Sequence, residues 1–280
     1  LETITAALIA RGLDPDATYH GRAVGFARDG SPYYGPDITF DAKGIIPPET
    51  QADTARVPLT VRNQHDFALT GWPTTAGVPF PRGVLGSADN VRILRDGGEV
   101  PAQIKPTGTW PDGSVKWVLV TLLADVPASG EAVYELEFGR NVRRAAAGGP
   151  LATQDGGSVI VDTGAVRFAI DSRGQVSDLR TPEGCGFDGA CSTSMSTSEG
   201  GMFSTSTGDA PAQVVIEENG PLRTVIFTAR DMLAEDGGDS FRVEQRIEAW
   251  RGSPLVVIHH TFINDVGQEW TEVERMSLTV

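Results

Sequence analysis

The stretch Phe241-Arg242-Val243-Glu244-Gln245-Arg246-Ile247-Glu248-Ala249-Trp250 decides the fold class of this chain of 280 residues. Its odd-numbered positions are mostly apolar, whereas positions 242 to 248 alternate between arginine and glutamate at the even numbers. Successive side chains of a β-strand point to opposite faces, so one face of this segment is expected to be buried and the other to meet water. The alternation predicts a half-buried strand with charges of both signs on its outer face.

Similar short segments recur outward from this strand. They are Ser114–Leu123, Ala132–Phe138, Ser158–Val161, Ala165–Ile170, Val214–Glu217, Thr224–Thr228 and Leu255–Phe262. Turn formers separate them, as in the Asp-Gly-Gly sequences at 96–98 and 236–238. Short strands between such turns are typical of an all-β sandwich or barrel.

Composition narrows the function classes. The chain carries 23 Lys+Arg against 37 Asp+Glu, a formal charge of −14. An acidic surface repels phosphate backbones and anionic lipids, so the sequence predicts no nucleic-acid partner and no lipid anchor. It also predicts no membrane span, because no apolar run approaches ~20 residues. The Walker, dinucleotide-binding, zinc-protease and nucleophile-elbow motifs are absent, which argues against most enzymes that use them.

Residues 1–57 differ from the rest of the chain. The segment 2–11 is predicted to be a helix, with apolar residues on one face and Gly12 placed to end it. The Gly/Pro/Asp-rich remainder is predicted to be an extended arm with strand-like pieces such as 38–40, through which the protein would join a larger assembly. Residues 58–280 are predicted to form the β domain.

Two further segments carry predictions. Between Thr181 and Asp209 serine, threonine and glycine dominate, which indicates a long loop or lid. Residues 275–280 alternate like a strand and stop without a turn, so the chain is expected to continue into further domains.

The chain contains two cysteines, Cys185 and Cys191, with mostly glycine and alanine between them. Such a segment can fold back and close a small disulfide loop, although two free thiols are the alternative. A disulfide would imply export, so the sequence predicts a secreted or cell-surface protein.

His259 and His260 are neighbours in a strand-like segment, so at least one imidazole should enter an apolar layer. Desolvation lowers the pKa of a buried imidazole and leaves a neutral base, although a hydrogen-bonded core histidine is the alternative. Lys116 shares strand parity with Val118 and Val120. It is either a stem lying along the surface at a strand end or a cation that points into a cleft.

Trp72, Trp110 and Trp117 are candidates for a sugar-stacking platform, or else core aromatics. Glu217, Glu218 and Asp162 would offer the pair of carboxylates that a glycoside hydrolase needs, although acids of this kind are more often solvated. No metal site and no cofactor are predicted, because the histidines and acids lack ligand spacing.

Five motifs occur in an order that resembles the exo-rhamnogalacturonan lyase-like family. They are Val78-Pro79-Phe80-Pro81-Arg82-Gly83-Val84-Leu85, Trp110-Pro111-Asp112-Gly113-Ser114-Val115-Lys116-Trp117, Asp162-Thr163-Gly164-Ala165, Glu218-Asn219-Gly220-Pro221-Leu222-Arg223, and Gly252-Ser253-Pro254 running into His260-Thr261-Phe262. The resemblance covers roughly residues 58–280. It implies an N-terminal RIFT barrel, an antiparallel β-barrel, which in the family precedes a β-sandwich and an (α/α) toroid.

The resemblance also implies β-elimination at a uronic acid of an acidic polysaccharide. That chemistry needs a cation for the carboxylate, a neutral base for the C5 proton and an acid for the leaving oxygen. Lys116 then becomes the candidate cation or acid and His260 the candidate base, with Trp72, Trp110 and Arg82 as candidate substrate-binding residues. The alternative function is a non-catalytic module, either carbohydrate-binding or structural, of a surface protein or phage tail.

Overall fold

The structure is a computed structural model of the chain. It describes residues 17–22, 24–26, 31–41, 53–207, 211–234, 240–264 and 271–279. Within these ranges the regular elements are β-strands and one 3₁₀ turn at Ala88–Asn90, and the strands pair antiparallel. The all-β antiparallel prediction is therefore confirmed. The predicted helix over 2–11 lies outside the described residues.

Four short strands precede the main body of the fold. They are β1 (Thr18–Gly21), β2 (Val24–Phe26), β3 (Pro32–Tyr34) and β4 (Ile38–Asp41). Strand β1 pairs with β4, and β2 pairs with β3. The strand-like piece at 38–40 is confirmed as part of β4. The proposed domain limits, 1–57 and 58–280, stay predictions.

The first unit is built from seven strands. They are β5 (Ala55–Arg62), β6 (Leu69–Pro79), β7 (Val91–Arg95), β8 (Gly98–Val100), β9 (Ala102–Thr109), β10 (Val115–Val126) and β11 (Glu131–Phe138). They form the sheets β6–β10–β9 and β5–β11–β7–β8, which enclose one hydrophobic core. Residues Val118, Tyr134 and Leu136 lie at its centre.

The second unit is built from the remaining eleven strands. They are β12 (Ala152–Asp155), β13 (Ser158–Asp162), β14 (Arg167–Ile170), β15 (Val176–Arg180), β16 (Ser192–Thr197), β17 (Met202–Ser204), β18 (Gln213–Asn219), β19 (Arg223–Ala234), β20 (Ser240–Trp250), β21 (Val256–Ile263) and β22 (Val273–Thr279). Strands β12 to β15 form one sheet in chain order. The other runs β21–β20–β19–β17–β16–β22, with β18 paired to β19. The inner faces of the two sheets meet around Phe168, Ile226 and Ile247.

The alternating segment that opened the sequence analysis forms β20. Its odd-numbered residues are buried, and its arginines and glutamates lie on the opposite face. Strand β22 is the last strand of its sheet and pairs with β16 alone among the described strands. Val273, Met276 and Leu278 on β22 are exposed apolar residues.

The two units meet where β9 faces the turn between β18 and β19. The Gln103 side chain on β9 accepts hydrogen bonds from the backbone N–H groups of Leu222 (3.0 Å) and Arg223 (2.9 Å). Its amide nitrogen donates to Glu218 Oε1 (2.5 Å) and to the Arg223 carbonyl (3.2 Å). A Cβ on Gly220 would lie 2.1 Å from this side chain, so only glycine leaves room for it.

The prediction of a long loop between Thr181 and Asp209 is wrong. Strands β16 and β17 lie within this segment, and β16 pairs with both β17 and β22. Thr193, Met195 and Thr197 of β16 point inward and are buried. The threonine hydroxyls and the alternating pattern suit a strand with neighbours on both sides, despite the small polar residues between them.

The predicted disulfide is also wrong, because both cysteines are free in the structure. The segment between them runs beside β15, so that Cys191 N–H bonds to the Val176 carbonyl while the Cys185 carbonyl accepts from Thr181 N–H. These partners, Val176 and Thr181, are five residues apart along the chain. That is roughly 16 Å of extended strand, whereas the Cα atoms of a disulfide are ~6 Å apart. Cys191 is buried in the second unit, whereas Cys185 is exposed.

Among the described residues, no helix is long and apolar enough to cross a membrane.

Candidate functional site

The turn between β9 and β10 is fastened to the segment that follows β6. Ser114 Oγ donates to Asp112 Oδ1 (2.6 Å) and accepts from the Gly83 N–H (2.9 Å). Arg82 Nε donates to Asp112 Oδ2 at 2.8 Å. The hydrogen bonds from Ser114, and then those from Arg82, lower the pKa of Asp112 to about 2. These hydrogen bonds join the motif at 78–85 to the motif at 110–117, two of the motifs that carry the family resemblance. We call this set of bonds between Arg82, Gly83, Asp112 and Ser114 the clamp.

Arg82 is thus one arm of this clamp rather than an unpaired cation. Its guanidinium is exposed but held against Asp112, and the structure shows no ligand role for it. Its prediction as a substrate-binding residue stays a prediction.

Lys116 lies beside the clamp at the start of β10. The register with β9 shifts across it, from Val115↔Thr109 to Trp117↔Gly108, which makes Lys116 a bulged residue without a partner on β9. Its Nζ lies 4.6 Å from the centroid of the Trp110 ring. Trp110 in turn donates its indole N–H to the Phe80 carbonyl (2.9 Å), which fixes the ring.

Lys116 is therefore half-buried, and its ammonium group makes a cation–π contact with the Trp110 ring. Among the carboxylates that the structure describes, none lies within ion-pair distance of its ammonium group. The chain has two other lysines, and Lys105 is bound to Glu218 Oε2 at 3.0 Å. A cation with these surroundings can take up a ligand carboxylate without first losing a protein partner.

The three tryptophans do not form one platform. Trp72 pairs with Ala124, and Trp117 pairs with Pro79, seven residue pairs away along β6 and β10, which is roughly 23 Å of strand. An odd number of steps also places the two side chains on opposite faces of the sheet.

Trp117 has the surroundings of a stacking residue, whereas Trp72 and Trp110 stay predictions as substrate-binding residues. The Trp117 ring covers two glycines, since a Cβ on Gly77 or Gly108 would lie 3.7 Å or 3.9 Å from indole carbons. The residue is 41% exposed, so one ring face lies near the sheet and another part is open to solvent. The sequence contains the two glycines, Gly77 on β6 and Gly108 on β9. Only the strand register shows that they lie beside Trp117.

His260 lies on the inner face of β21 and is held by its neighbours. The Gln245 amide nitrogen donates to His260 Nδ1 at 2.9 Å, which leaves the ring proton on Nε2. That Nε2 is buried and has no hydrogen-bond partner among the described groups. The ring stacks on Phe262, with centroids 4.5 Å apart. Burial lowers the pKa of His260, so the imidazole is neutral.

The structure does not bring Lys116 and His260 together. Lys116 contacts residues of the first unit, and the partners of His260 belong to the second. Neither ring nitrogen of His260 offers a free lone pair in this arrangement, because Nδ1 accepts from Gln245 and Nε2 carries the proton.

A chain of polar and ionic contacts that sequence reasoning missed crosses the outer face of the second unit. It links His259 to Glu248 (3.3 Å), Glu248 to Arg223 (2.8 Å), Arg223 to Glu218 (3.5 Å) and Glu218 to Lys105 of β9 (3.0 Å). The Glu218 side chain is 8% exposed, so it is not the solvated acid that its sequence suggested.

The neighbouring Glu217 accepts two hydrogen bonds from Arg246, at 2.7 Å and 2.9 Å. Both glutamates therefore have arginine or lysine partners. Among the described residues, no three histidine, cysteine, aspartate or glutamate side chains are grouped closely enough to hold a metal ion.

Residues 61–136 match the family model described as the PcRGLX-like N-terminal RIFT barrel domain. This range holds most of the first unit, including the clamp, Lys116 and Trp117. No curated protein matches the chain.

Two solved structures from Enterococcus faecalis are similar to the chain. One is an alpha-mannosidase from strain V583, with 13% identity and a TM-score of 0.53, over 80% of this chain and 31% of that one. The other is a protein in the glycosyl hydrolase family 38, with 11% identity and a TM-score of 0.47, over 80% of this chain and 33% of that one. The chain thus spans about a third of these structures, and the likeness to the first concerns the fold alone.

Proposed function

We propose that this chain is the N-terminal β module of a polysaccharide lyase, because residues 61–136 match the model of the PcRGLX-like N-terminal RIFT barrel domain. The protein would be secreted or lie at the cell surface, its substrate would be a polysaccharide that contains uronic acid, and the reaction would be a β-elimination. The observation that carries the proposal is the Lys116 ammonium group, which lies on Trp110 inside the matched domain without a carboxylate partner among the described residues.

β-Elimination at a uronic acid removes a poorly acidic C5 proton beside a carboxylate. A cation at that carboxylate stabilises the enolate-like intermediate in which negative charge builds up. Lys116 has the required charge, and its ammonium group lies beside the Trp110 ring. The cation would hold the carboxylate, while the rest of the site would come from other parts of the protein.

The geometry does not favour His260 as the base. Its Nδ1 lone pair accepts the Gln245 amide, and its Nε2 is buried and protonated. It would accept a C5 proton only after breaking the bond to Gln245. The base is therefore expected elsewhere in the longer protein.

The test uses a protein that also contains the further domains implied by the family resemblance. It compares two lysine variants of that protein acting on rhamnogalacturonan. Lys116→Gln is expected to lower the rate at which unsaturated uronate absorbance appears by roughly 10²–10³-fold, the usual effect of losing one charge-stabilising group. Lys105→Gln makes the same charge change on the neighbouring strand, but at a residue paired with Glu218, and is expected to retain activity within a few-fold. Equal activity of the two variants would contradict the assignment.

A second function is favoured by Trp117, whose ring covers Gly77 and Gly108 on an open sheet face. In this case the chain binds a polysaccharide without catalysis, through stacking of sugar C–H faces on the indole. Affinity electrophoresis of the 280-residue chain then distinguishes the two functions. A binding module would lose retardation with Trp117→Ala, keep it with Trp72→Ala and keep it with Lys116→Gln.

A further inference from the structure

The outer edge of β21 is an unpaired strand edge of the second unit. Strand β21 ends the seven-stranded sheet and pairs with β20 alone among the described strands. Within the described residues, the backbone of Val256–Ile263 forms no hydrogen bond outside that pairing. Alternate residues of an edge strand turn their N–H and C=O groups away from the sheet, so β21 presents a row of unpaired donors and acceptors.

The sequence of β21 lacks the usual protection of such an edge. Proteins protect exposed edges with prolines and charged side chains, which prevent another strand from pairing there. Every other described strand of the two units that has a single neighbouring strand carries one or the other: β5, β6 and β9 contain proline, and β8, β12, β15, β18 and β22 contain acidic or basic residues. The eight residues of β21 include no proline, aspartate, glutamate, lysine or arginine.

The residues of β21 are chemically symmetric about His260. At one, two and three residues on either side of it stand His259 and Thr261, Ile258 and Phe262, and Val257 and Ile263. The first pair is polar and the other two pairs are apolar. A second copy of this strand, paired antiparallel about His260, would therefore bring each apolar side chain opposite an apolar one.

The neighbouring registers lack this match. Paired side chains point to the same face of a sheet, so a two-fold pairing must be centred on a residue. Centred on His259, it would place Ile258 opposite His260, and centred on Thr261 it would place Phe262 opposite His260. The pattern therefore favours a second copy of this chain, in one register, over an unrelated extended segment.

Burial along β21 agrees with that register. His259 and Thr261 are exposed, whereas the apolar residues are half-buried, so a further strand would remove more of their surface from water. His260 would lie at the two-fold axis beside its own copy. Burial lowers the pKa of His260, so the two imidazoles are neutral and do not repel each other as charges.

We propose that β21 pairs with β21 of a second copy of this chain, antiparallel and centred on His260, so that two seven-stranded sheets join across a two-fold axis. Each copy uses its edge once, and the assembly therefore stops at the dimer. One strand pair makes a small interface, so we expect a reversible dimer rather than a permanent one. The interface goes beyond the proposed function and does not depend on it.

Sedimentation velocity of the 280-residue chain over a range of micromolar concentrations tests the interface. We expect a monomer–dimer equilibrium. Thr261→Lys should raise the Kd of the dimer at least about tenfold, because a lysine on the edge loses hydration when another strand pairs with it. Thr153→Lys is the matched control, since it makes the same change at an exposed position of β12, the edge strand of the other sheet, and should leave the equilibrium unchanged.

A mixture of two variants tests the register. In the proposed dimer, residue 261 of one copy lies opposite residue 259 of the other. His259→Glu and Thr261→Lys should each dimerise more weakly than wild type, whereas an equal mixture should form a heterodimer through the introduced opposite charges. Both variants are expected to fold, because within one chain Arg246 lies opposite residue 259 and Glu244 opposite residue 261.

Three results would overturn the proposal. The first is a wild-type chain that stays monomeric at every concentration or grows beyond the dimer. The second is an effect of Thr261→Lys no larger than that of Thr153→Lys. The third is a mixture of the His259→Glu and Thr261→Lys variants that forms no heterodimer, as measured by sedimentation of one dye-labelled variant in the presence of the other.

Discussion

Gln103→Ala tests the joint between the two units most directly. The substitution removes the acceptor of two backbone N–H groups, those of Leu222 and Arg223, of which Leu222 is fully buried. A buried donor without a partner costs about 1–3 kcal/mol, so the free energy of unfolding should fall by about 3 kcal/mol. For a chain of this size that corresponds to a decrease in Tm of roughly 5 °C.

The assay is urea unfolding followed by circular dichroism, with Gln154→Ala as the control. Gln154 is exposed, and its side chain donates one bond to the Gly156 carbonyl at 3.3 Å, so its loss should change stability by less than about 0.5 kcal/mol. A cooperative wild-type transition that separates into two in Gln103→Ala would further show that this side chain couples the units.

Gly220→Ala completes a double-mutant cycle. The added Cβ would overlap the Gln103 amide, so the substitution should be strongly destabilising in wild type and much less so when Gln103 is already alanine. If Gly220→Ala costs the same in both backgrounds, or Gln103→Ala behaves like Gln154→Ala, the account of this joint is refuted.

Three other predictions follow from single groups. Burial lowers the pKa of His260 below 6.5, so the unfolded chain gains a proton that the folded chain lacks as the pH falls through that value. The free energy of unfolding should therefore decrease from roughly pH 7 to 5, less steeply in His260→Gln, and parallel curves would contradict this. Glu137 is 3% exposed and bound by Arg92 and Arg56; Glu137→Gln should cost about 3 kcal/mol in urea unfolding, and a loss below about 1 kcal/mol would show that the pair is not structural. In non-reducing buffer a maleimide should label Cys185 at once and Cys191 only on unfolding, whereas protection of both until reduction would restore the predicted disulfide.

Strand alternation made most of the second unit predictable. A segment such as β20 places apolar and charged residues on opposite faces, and this pattern is local in sequence. Strand β16 escaped prediction because its inward residues are threonine and methionine, and serine stands between them. Composition alone indicated a loop, while the pairing with two neighbours that makes it a strand is non-local.

The candidate site was predictable in its residue types but not in its geometry. Lys116 is an even-numbered residue like the buried residues of β10, which places it on their face in a regular strand. It is, however, the bulged residue and has no partner on β9. Two partners of Glu218, Gln103 and Lys105, lie 115 and 113 residues away, and no local pattern identifies them.

The pairing of β22 with β16 also has a consequence for folding. Residues near 192 on β16 pair with residues near 279 on β22. This pairing cannot form until β22 has left the ribosome. Contacts of such long sequence separation form slowly, since a large loop must be closed before they contribute. During synthesis β16 therefore remains with an unpaired edge, and a chaperone that covers exposed strands is expected to act on this intermediate.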